Sequence, residues 1–335
     1  MSQLTSREIR LISRPDGEPT PQNFELAHVT YDDPSPGMVQ VRNYWMSVDP
    51  YMRGRMYDRP SYVPPFGLGE TLQGHAIGEV IASGDTDFAV GDIVTHMLGW
   101  REIAQGPKAL FTKVDTHGIA LQAFLGVMGM PGMTAYCGFL EICTPKAGET
   151  VFVSGAAGAV GSLVCQIAKL KGCNVVASCG SEAKAAWLKS VGVDEVINYK
   201  TAPNLLKAVQ SCAHQGIDMY FDNVGGEHLE VALEVARVGA RFAECGMISQ
   251  YNATRPTSGP KNLINVIGKS LKIQGFIVSN FAHLHAQFVE EMGGWIKSGD
   301  IKWEETIMTG IDKAPAAFIG LFNGVNAGKM LVKLS

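Results

Sequence analysis

The chain has no cysteine before Cys137, and its seven cysteines, at 137, 143, 165, 173, 179, 212 and 245, include no CxxC pair. An odd set of unpaired thiols argues against a disulfide framework and for a reducing compartment, the cytoplasm. The same gap removes the thiolate that a zinc alcohol dehydrogenase needs in its first domain, so no metal site is expected. Long apolar runs are missing as well. None approaches the roughly 20 residues that span a bilayer, and residues 1–14 mix Ser, Thr, Arg and Glu where a signal peptide would carry an apolar block. There is no long run of lysine or arginine, and the net charge is only -4, so neither nucleic acid nor an anionic membrane is an expected partner.

What is present points to two packed domains. A chain of 335 residues, 46% of them hydrophobic, is too long for one ordinary core and too apolar for disorder. Residues 1–127 are rich in Pro and Gly, with short β-like runs at 38–44 and 76–82 bounded by turn signals, and read as a small β domain. From residue 150 the texture changes. Apolar runs at 150–154, 174–178, 218–222 and 240–245 alternate with helical patterns, which predicts an α/β domain with a doubly wound parallel sheet and crossover helices. After residue 299 the composition is again strand-like and turn-rich, ending in the run at 329–334. That tail is too short for a third core and is expected to pack on the first domain. The division is therefore 1–127 with 300–335, and 128–299 between them. No internal repeat or low-complexity segment is visible.

The strongest local signal is Thr150-Val-Phe-Val-Ser-Gly-Ala-Ala-Gly-Ala-Val-Gly161, a strand that runs into a small-residue turn and then a helical pattern over 162–171. Against the dinucleotide fingerprint, Ala156 stands at the first glycine position. Gly158 lets backbone approach a pyrophosphate, and Gly161 lets helix and strand pack closely. The phosphates would rest on the N–H groups that open the helix. An ordinary tight strand-to-helix turn can carry the same glycines, but the flanking strand and helix favour the nucleotide. The next strand ends Ser178-Cys-Gly-Ser181, with no carboxylate for a ribose 2′-hydroxyl, and Lys184 follows within reach of a 2′-phosphate. NADPH is thus the expected cofactor. Glu182 keeps an NAD reading open, and a solvated helix residue is the plain reading of Lys184.

His75 has no thiolate companions in its half of the chain and reads as a structural histidine, while His283 and His285 diverge on a helix and read as surface residues. Without a metal, a developing enolate needs hydrogen-bond donors. Ser47-Val-Asp-Pro-Tyr51-Met-Arg53-Gly-Arg55 and Pro60-Ser-Tyr62 place phenols and guanidinium groups on loops of the first domain. Either Tyr51, Tyr62, Arg53 and Arg55 line a cleft, or the arginines pair with local acids and the tyrosines pack.

Five blocks in order give the chain a resemblance that covers nearly its whole length: Ser47 to Arg55, Gly129-Met-Pro-Gly-Met-Thr-Ala-Tyr136, Gly155 to Gly161, Phe221-Asp-Asn-Val-Gly-Gly226 and Asn326-Ala-Gly-Lys329. In these blocks it resembles the zinc-independent medium-chain dehydrogenases/reductases, the group of prostaglandin reductases, plant alkenal double-bond reductases and bacterial curcumin reductases. Gly54-Arg-Met56, Pro60-Ser-Tyr62 and Tyr251-Asn-Ala-Thr254 lean toward the curcumin reductase branch. The resemblance implies a GroES-like substrate domain, a Rossmann NADP domain and a homodimer. It implies a pyrophosphate loop of Gly158, Ala159, Val160 and Gly161, with Lys184 and Tyr199 at the 2′-phosphate. The nicotinamide half would be lined by Asn223, by Cys245, Gly246, Met247, Ile248, Ser249, Gln250 and Tyr251, by Phe276, Ile277 and Val278, and by Asn326.

One departure stands out. The prostaglandin and plant enzymes carry a catalytic-site tyrosine in the helix before the strand at 271–278, where this chain has Gly268 or a neighbouring non-tyrosine. The enolate donor would then be Tyr251, Tyr51 or a ribose hydroxyl of the cofactor. The expected reaction is hydride transfer from NADPH to the β-carbon of an enone or enal, with Tyr51 and Tyr251 as catalytic donors. Tyr62, Arg53 and Arg55 would contact the unsaturated carbonyl substrate. Quinone reduction is the alternative chemistry, and a non-catalytic NADPH-binding protein is the alternative class.

Overall fold

The computed structural model describes residues 3–335. The chain begins with a two-stranded antiparallel ribbon, β1 (Leu4–Leu11) and β2 (Phe24–Tyr31). It continues through β3 (Met38–Ser47), the single turn α1 (Met52–Arg55), β4 (Ala76–Ser83), β5 (Ile93–His96), β6 (Ile103–Pro107) and β7 (Phe111–Lys113). A helix α2 (Met130–Cys137) leads into an alternating series: β8 (Thr150–Val153), α3 (Gly161–Leu170), β9 (Asn174–Cys179), α4 (Glu182–Ser190), β10 (Glu195–Asn198), α5 (Leu205–Cys212), β11 (Ile217–Asp222), α6 (Glu227–Val235) and β12 (Ala236–Glu244). Then come α7 (Asn265–Gly268), β13 (Lys272–Gly275), α8 (His285–Ser298), β14 (Glu305–Thr309), α9 (Ala314–Phe322) and β15 (Lys329–Lys333).

The chain divides into two compact units: residues 1–125 with 305–326 and 330–335, and residues 126–304 with 327–329. The sequence reading set its divisions at 127 and 299. In the first unit, β14, β15, β3, β4, β5 and β7 form one sheet in that order, and β6 also pairs with β3. Its core is where the C-terminal tail is anchored. Ile311, Phe318, Met330 and Val332 are buried in the same cluster as Ile9, Met46 and Trp100. The Trp100 ring lies parallel to Phe24 at 6.0 Å and edge-on to Phe318 at 6.1 Å. Large aromatic surfaces from distant parts of the sequence thereby leave water together, which is what holds a short tail on a small β domain.

The second unit carries a six-stranded parallel sheet in the order β10-β9-β8-β11-β12-β13. Numbered from β8, this is the 3-2-1-4-5-6 arrangement of doubly wound nucleotide-binding domains, with its reversal point between β8 and β11. The inner strands are buried on both faces, so Val151, Phe152 and Val153 and Met219, Tyr220 and Phe221 are continuous apolar or aromatic runs with no polar alternation. Edge strand β13 differs: all four of its residues are exposed, and the run expected over 271–278 is regular only at 272–275. Among the described residues, no helix is long and apolar enough to cross a membrane.

Candidate active site

The carboxyl ends of the parallel strands are where a doubly wound sheet holds its ligand. In this unit those ends collect Ser154 and the glycine loop after β8, Gly180 after β9, Tyr199 after β10, Asn223 after β11, Cys245 after β12 and Phe276 after β13. Residues scattered over more than a hundred positions in the sequence thus share one rim because each directly follows a strand.

The loop after β8 turns at Gly155, whose φ of +57° suits glycine and few other residues. Ala156, which the fingerprint spacing puts at the first glycine position, is buried directly after that turn. A side chain at Gly161 would bring a Cβ to 2.6 Å from the Gly155 carbonyl oxygen, so helix α3 can start against the loop only with glycine there. Gly158, Ala159 and Val160 are half-buried between these two points. Gly158 N–H donates to Gly155 O at 3.0 Å, and Gly328 N–H donates to Ala157 O at 2.8 Å, which pins the outer side of the turn.

The expected 2′-phosphate corner lies at the ends of β9 and β10. Ser181 caps α4 by accepting from the Lys184 amide. A Cβ on Gly180 would stand 3.0 Å from Tyr199 Oη and 3.3 Å from Lys200 Cε, so the missing side chain leaves a notch beside a phenol and an ammonium stem. Burial lowers the Lys184 pKa, Cys179 opposes that shift, and Lys200 adds to it. A phosphate dianion would relieve both penalties at once. Glu182, the residue that kept NAD open, accepts from Asn198 Nδ2 at 2.6 Å. Lys200 was not singled out from the sequence, although its place directly after Tyr199 at a strand end was a signal.

Where the nicotinamide half is expected, Asn223 Nδ2 donates to Ser154 O at 2.8 Å and its amide donates to Ser154 Oγ at 2.9 Å, joining the ends of β8 and β11. Residues 245–249 are tied to the same place: Cys245 and Gly246 amides donate to Asp222 O at 3.0 Å, Ile248 N–H to Asn223 O at 3.3 Å and Ser249 N–H to Val224 O at 3.1 Å. Gln250 ends the short turn Ile248–Gln250. Tyr251 folds back over it, its hydroxyl accepting from Met247 N–H at 3.3 Å. Phe276 stands edge-on to Phe221 at 6.2 Å, and Ile277 and Val278 are half-buried beyond it. The Cys245 thiol is pushed up to about 12 by burial first and Asp222 second, so it stays protonated. The helix before β13 ends at Gly268, the position where the relatives' tyrosine was sought.

In the first unit, Tyr51 opens α1, and its Oη is buried with no hydrogen-bond partner among the described residues. Burial and then Asp49 raise its pKa well above the ordinary value, against a lowering by Arg55. The phenol therefore keeps its proton and remains a donor. Arg55 is itself buried. Its Nε donates to Pro64 O and its Nη2 to Gln73 Oε1, each at 2.8 Å, and the guanidinium lies 4.0 Å from the Phe66 ring centroid. It lines a cavity of about 420 Å³ with Val63, Pro64, Phe66 and Met97. Tyr62 is 62% exposed nearby, and its charge state bears on both Tyr51 and Arg55. Arg53 departs from the expected substrate wall. Its Nη2 donates to Pro15 O at 3.2 Å and Gly17 O at 2.8 Å while the guanidinium covers Tyr57 at 4.0 Å, so it anchors the 15–17 loop. Asn326 is half-buried and belongs to this first unit.

A doubly wound sheet with a glycine-turned loop and a cationic corner beyond its second strand defines a nicotinamide-nucleotide oxidoreductase. Comparison with known proteins agrees. Residues 7–114 match the family described as the N-terminal domain of oxidoreductase, and residues 159–295 match the family described as zinc-binding dehydrogenase. The chain is 43% identical to the putative NADP-dependent oxidoreductase YfmJ of Bacillus subtilis, over 99% of this chain and 98% of that one. It is 42% identical to the NADP(+)-dependent 2-alkenal reductase of Nicotiana tabacum, again over 99% and 98%. The crystal structure of CurA from Vibrio vulnificus in complex with NADPH superposes with a TM-score of 0.93 at 40% identity, covering 98% of this chain and 99% of that one. The protein belongs to the medium-chain dehydrogenase/reductase family, in the group that holds the alkenal, curcumin and prostaglandin reductases, and is an NADP-dependent oxidoreductase.

Proposed function

We propose that this enzyme reduces the carbon–carbon double bond of α,β-unsaturated ketones and aldehydes, without zinc, as a cytoplasmic homodimer. The observation that carries the reading is full-length similarity to proteins named for that reaction, combined with a phosphate notch at Gly180, Tyr199 and Lys200 that suits NADPH. Lys184, Tyr199 and Lys200 would hold the 2′-phosphate, the loop 155–161 the pyrophosphate, and residues 245–251 with Asn223, 276–278 and Asn326 the nicotinamide half. When bound, NADPH supplies the hydride that goes to the β-carbon.

The protein's own task is then to stabilise negative charge on the substrate oxygen and to deliver a proton to the α-carbon. Tyr51 is suited to the first task, because burial keeps its phenol protonated and no described residue takes its hydrogen bond. Arg55 adds positive charge at the cavity wall, and the exposed Tyr62 is the further substrate contact assigned to this unit. Tyr251, fastened to Met247, is the donor assigned to the second unit. The donor set favours a metal-free reaction: the first unit contains no thiol, and among the described residues no three His, Cys, Asp or Glu side chains are grouped to hold an ion.

The test is a panel of enones, alkenals and quinones assayed by loss of the reduced-nicotinamide absorbance with NADPH and with NADH. Turnover of enones or enals with NADPH supports the reading. Turnover of quinones alone assigns the alternative chemistry, and no turnover with tight NADPH binding assigns a binding protein.

A further inference from the structure

Beneath the nicotinamide-side loops lies a pair of acids that the reaction above does not use. Asp222 and Glu244 end the neighbouring parallel strands β11 and β12 and are directly opposite each other in the ladder, so their side chains project to the same face. Asp222 is fully buried. Its Oδ1 accepts four hydrogen bonds, from Ser154 Oγ at 2.8 Å, Tyr220 Oη at 2.7 Å and the amides of Val224 and Gly225 at 2.8 Å. Its Oδ2 and both carboxyl oxygens of Glu244 are buried and receive no donor. Three buried acceptors without a donor would be costly if both groups were charged. One proton shared between the two carboxyls removes one of the two charges and pairs two of these three oxygens, leaving only a neutral carbonyl oxygen without a donor. With four donors on Oδ1, Asp222 is the acceptor, and the proton belongs to Glu244.

We propose that Glu244 is a positioning residue for the cofactor: as a neutral acid it donates to Asp222 Oδ2, and this shared proton keeps the loops 222–226 and 245–249 zipped in the shape that receives the nicotinamide half. The inference rests on the NADPH reading above. The consequence of losing the proton follows from the connections. Asp222 joins the ends of β8, β11 and β12 through Ser154, Tyr220 and the amides of 224, 225, 245 and 246. A second negative charge beside it repels Asp222 from inside the knot and adds unfavourable charge below an anionic cofactor.

Burial first, and Asp222 second, raise Glu244 from 4.5 to about 8. The other titratable groups that face the pair stay silent in that interval. Tyr220 on β11 is raised well above 10.0, Cys143 and Cys245 are raised to about 12, and His228 on α6 is lowered to about 4. The sign is that of a raised acid. Its contribution to folding is complete below about pH 4.5, declines as pH rises, and is gone above about pH 8.

Two measurements test the proposal, on wild type, Glu244→Gln and Glu244→Ala. Glutamine keeps a donor toward Asp222 but cannot ionise. NADPH affinity is read by fluorescence titration from about pH 6 to about pH 9.5, and thermal unfolding of the cofactor-free chain is followed from about pH 4.5 to about pH 8. Wild type should lose affinity above about pH 8, approaching tenfold per pH unit at most. Glu244→Gln should bind within about threefold of wild type at neutral pH and lack that alkaline fall, while Glu244→Ala binds at least about tenfold more weakly throughout. In the cofactor-free chain, the decline in stability across the acid-to-neutral interval should be shallower in Glu244→Gln. An alkaline fall identical in wild type and Glu244→Gln overturns the proposal. A chain whose stability carries the Glu244-dependent slope but which binds no NADPH overturns the cofactor reading instead, so the two failures are distinguishable.

Discussion

Among single residues, the proposed roles of Tyr51 and Lys184 are the most open to test. With its pKa raised by burial, the Tyr51 phenol is a donor over the whole working pH range, and a donor aimed at developing charge is worth on the order of 100-fold in rate. Tyr51→Phe is expected to lower kcat by about that factor with NADPH affinity unchanged, measured by steady-state kinetics beside direct cofactor titration. Unchanged kcat would remove Tyr51 from the reaction. Lys184→Ala should weaken NADPH roughly 10- to 100-fold and leave NADH nearly untouched, because only the phosphorylated cofactor loses a charged hydrogen bond. Equal losses for both cofactors would place the phosphate elsewhere. The expectation for Lys184 comes from the absence of an acid at the strand end. Lys200 was not singled out and Arg53 was expected at a substrate wall, because their surroundings depend on where neighbouring loops fold back: Lys200 beside Gly180, Arg53 onto Pro15 and Gly17.

Among elements, the strands of the second unit were the most legible part of the chain. Apolar runs near 151, 175, 218 and 240 each became a parallel strand, because strands covered on both faces must be apolar throughout. The turn after β8 falls where the small-residue run stands in the sequence, but a motif spacing does not reveal which residue takes the positive φ, and here it is Gly155. The stretch at 271–278 promised a longer strand than 272–275, as an edge strand has a ladder on one side only. The acid pair was hidden for a related reason: Asp222 and Glu244 become neighbours through the register of two strands 22 positions apart in sequence. At this scale Gly161→Ala is the sharp test. Its Cβ would meet Gly155 O at 2.6 Å, so the loop must shift. The variant should lose about 1–3 kcal/mol of stability and bind NADPH at least about tenfold more weakly, read by thermal unfolding and fluorescence titration. Wild-type affinity in that variant would mean that the loop does not hold the pyrophosphate.

For the whole molecule, the open edge of the second sheet is the feature that bears on assembly. β13 is exposed along its length, and Ile264 and Ile267 nearby are 69% and 77% exposed. A bare strand edge beside apolar side chains is a template for pairing with an identical edge, which supports the proposed homodimer. Ile267→Asp should halve the mass seen by light scattering at low concentration, whereas a monomeric wild type would refute the dimer. A last consequence comes from the thiols. Enals and enones are soft electrophiles that alkylate thiolates, so a catalyst that handles them is exposed to inactivation by its own substrate. Here the unit with the Arg55 cavity has no thiol at all, five of the seven cysteines are buried, and burial raises the pKa of every one. Such a distribution leaves the reagent little to attack, and gives the enzyme chemical endurance toward the compounds it consumes.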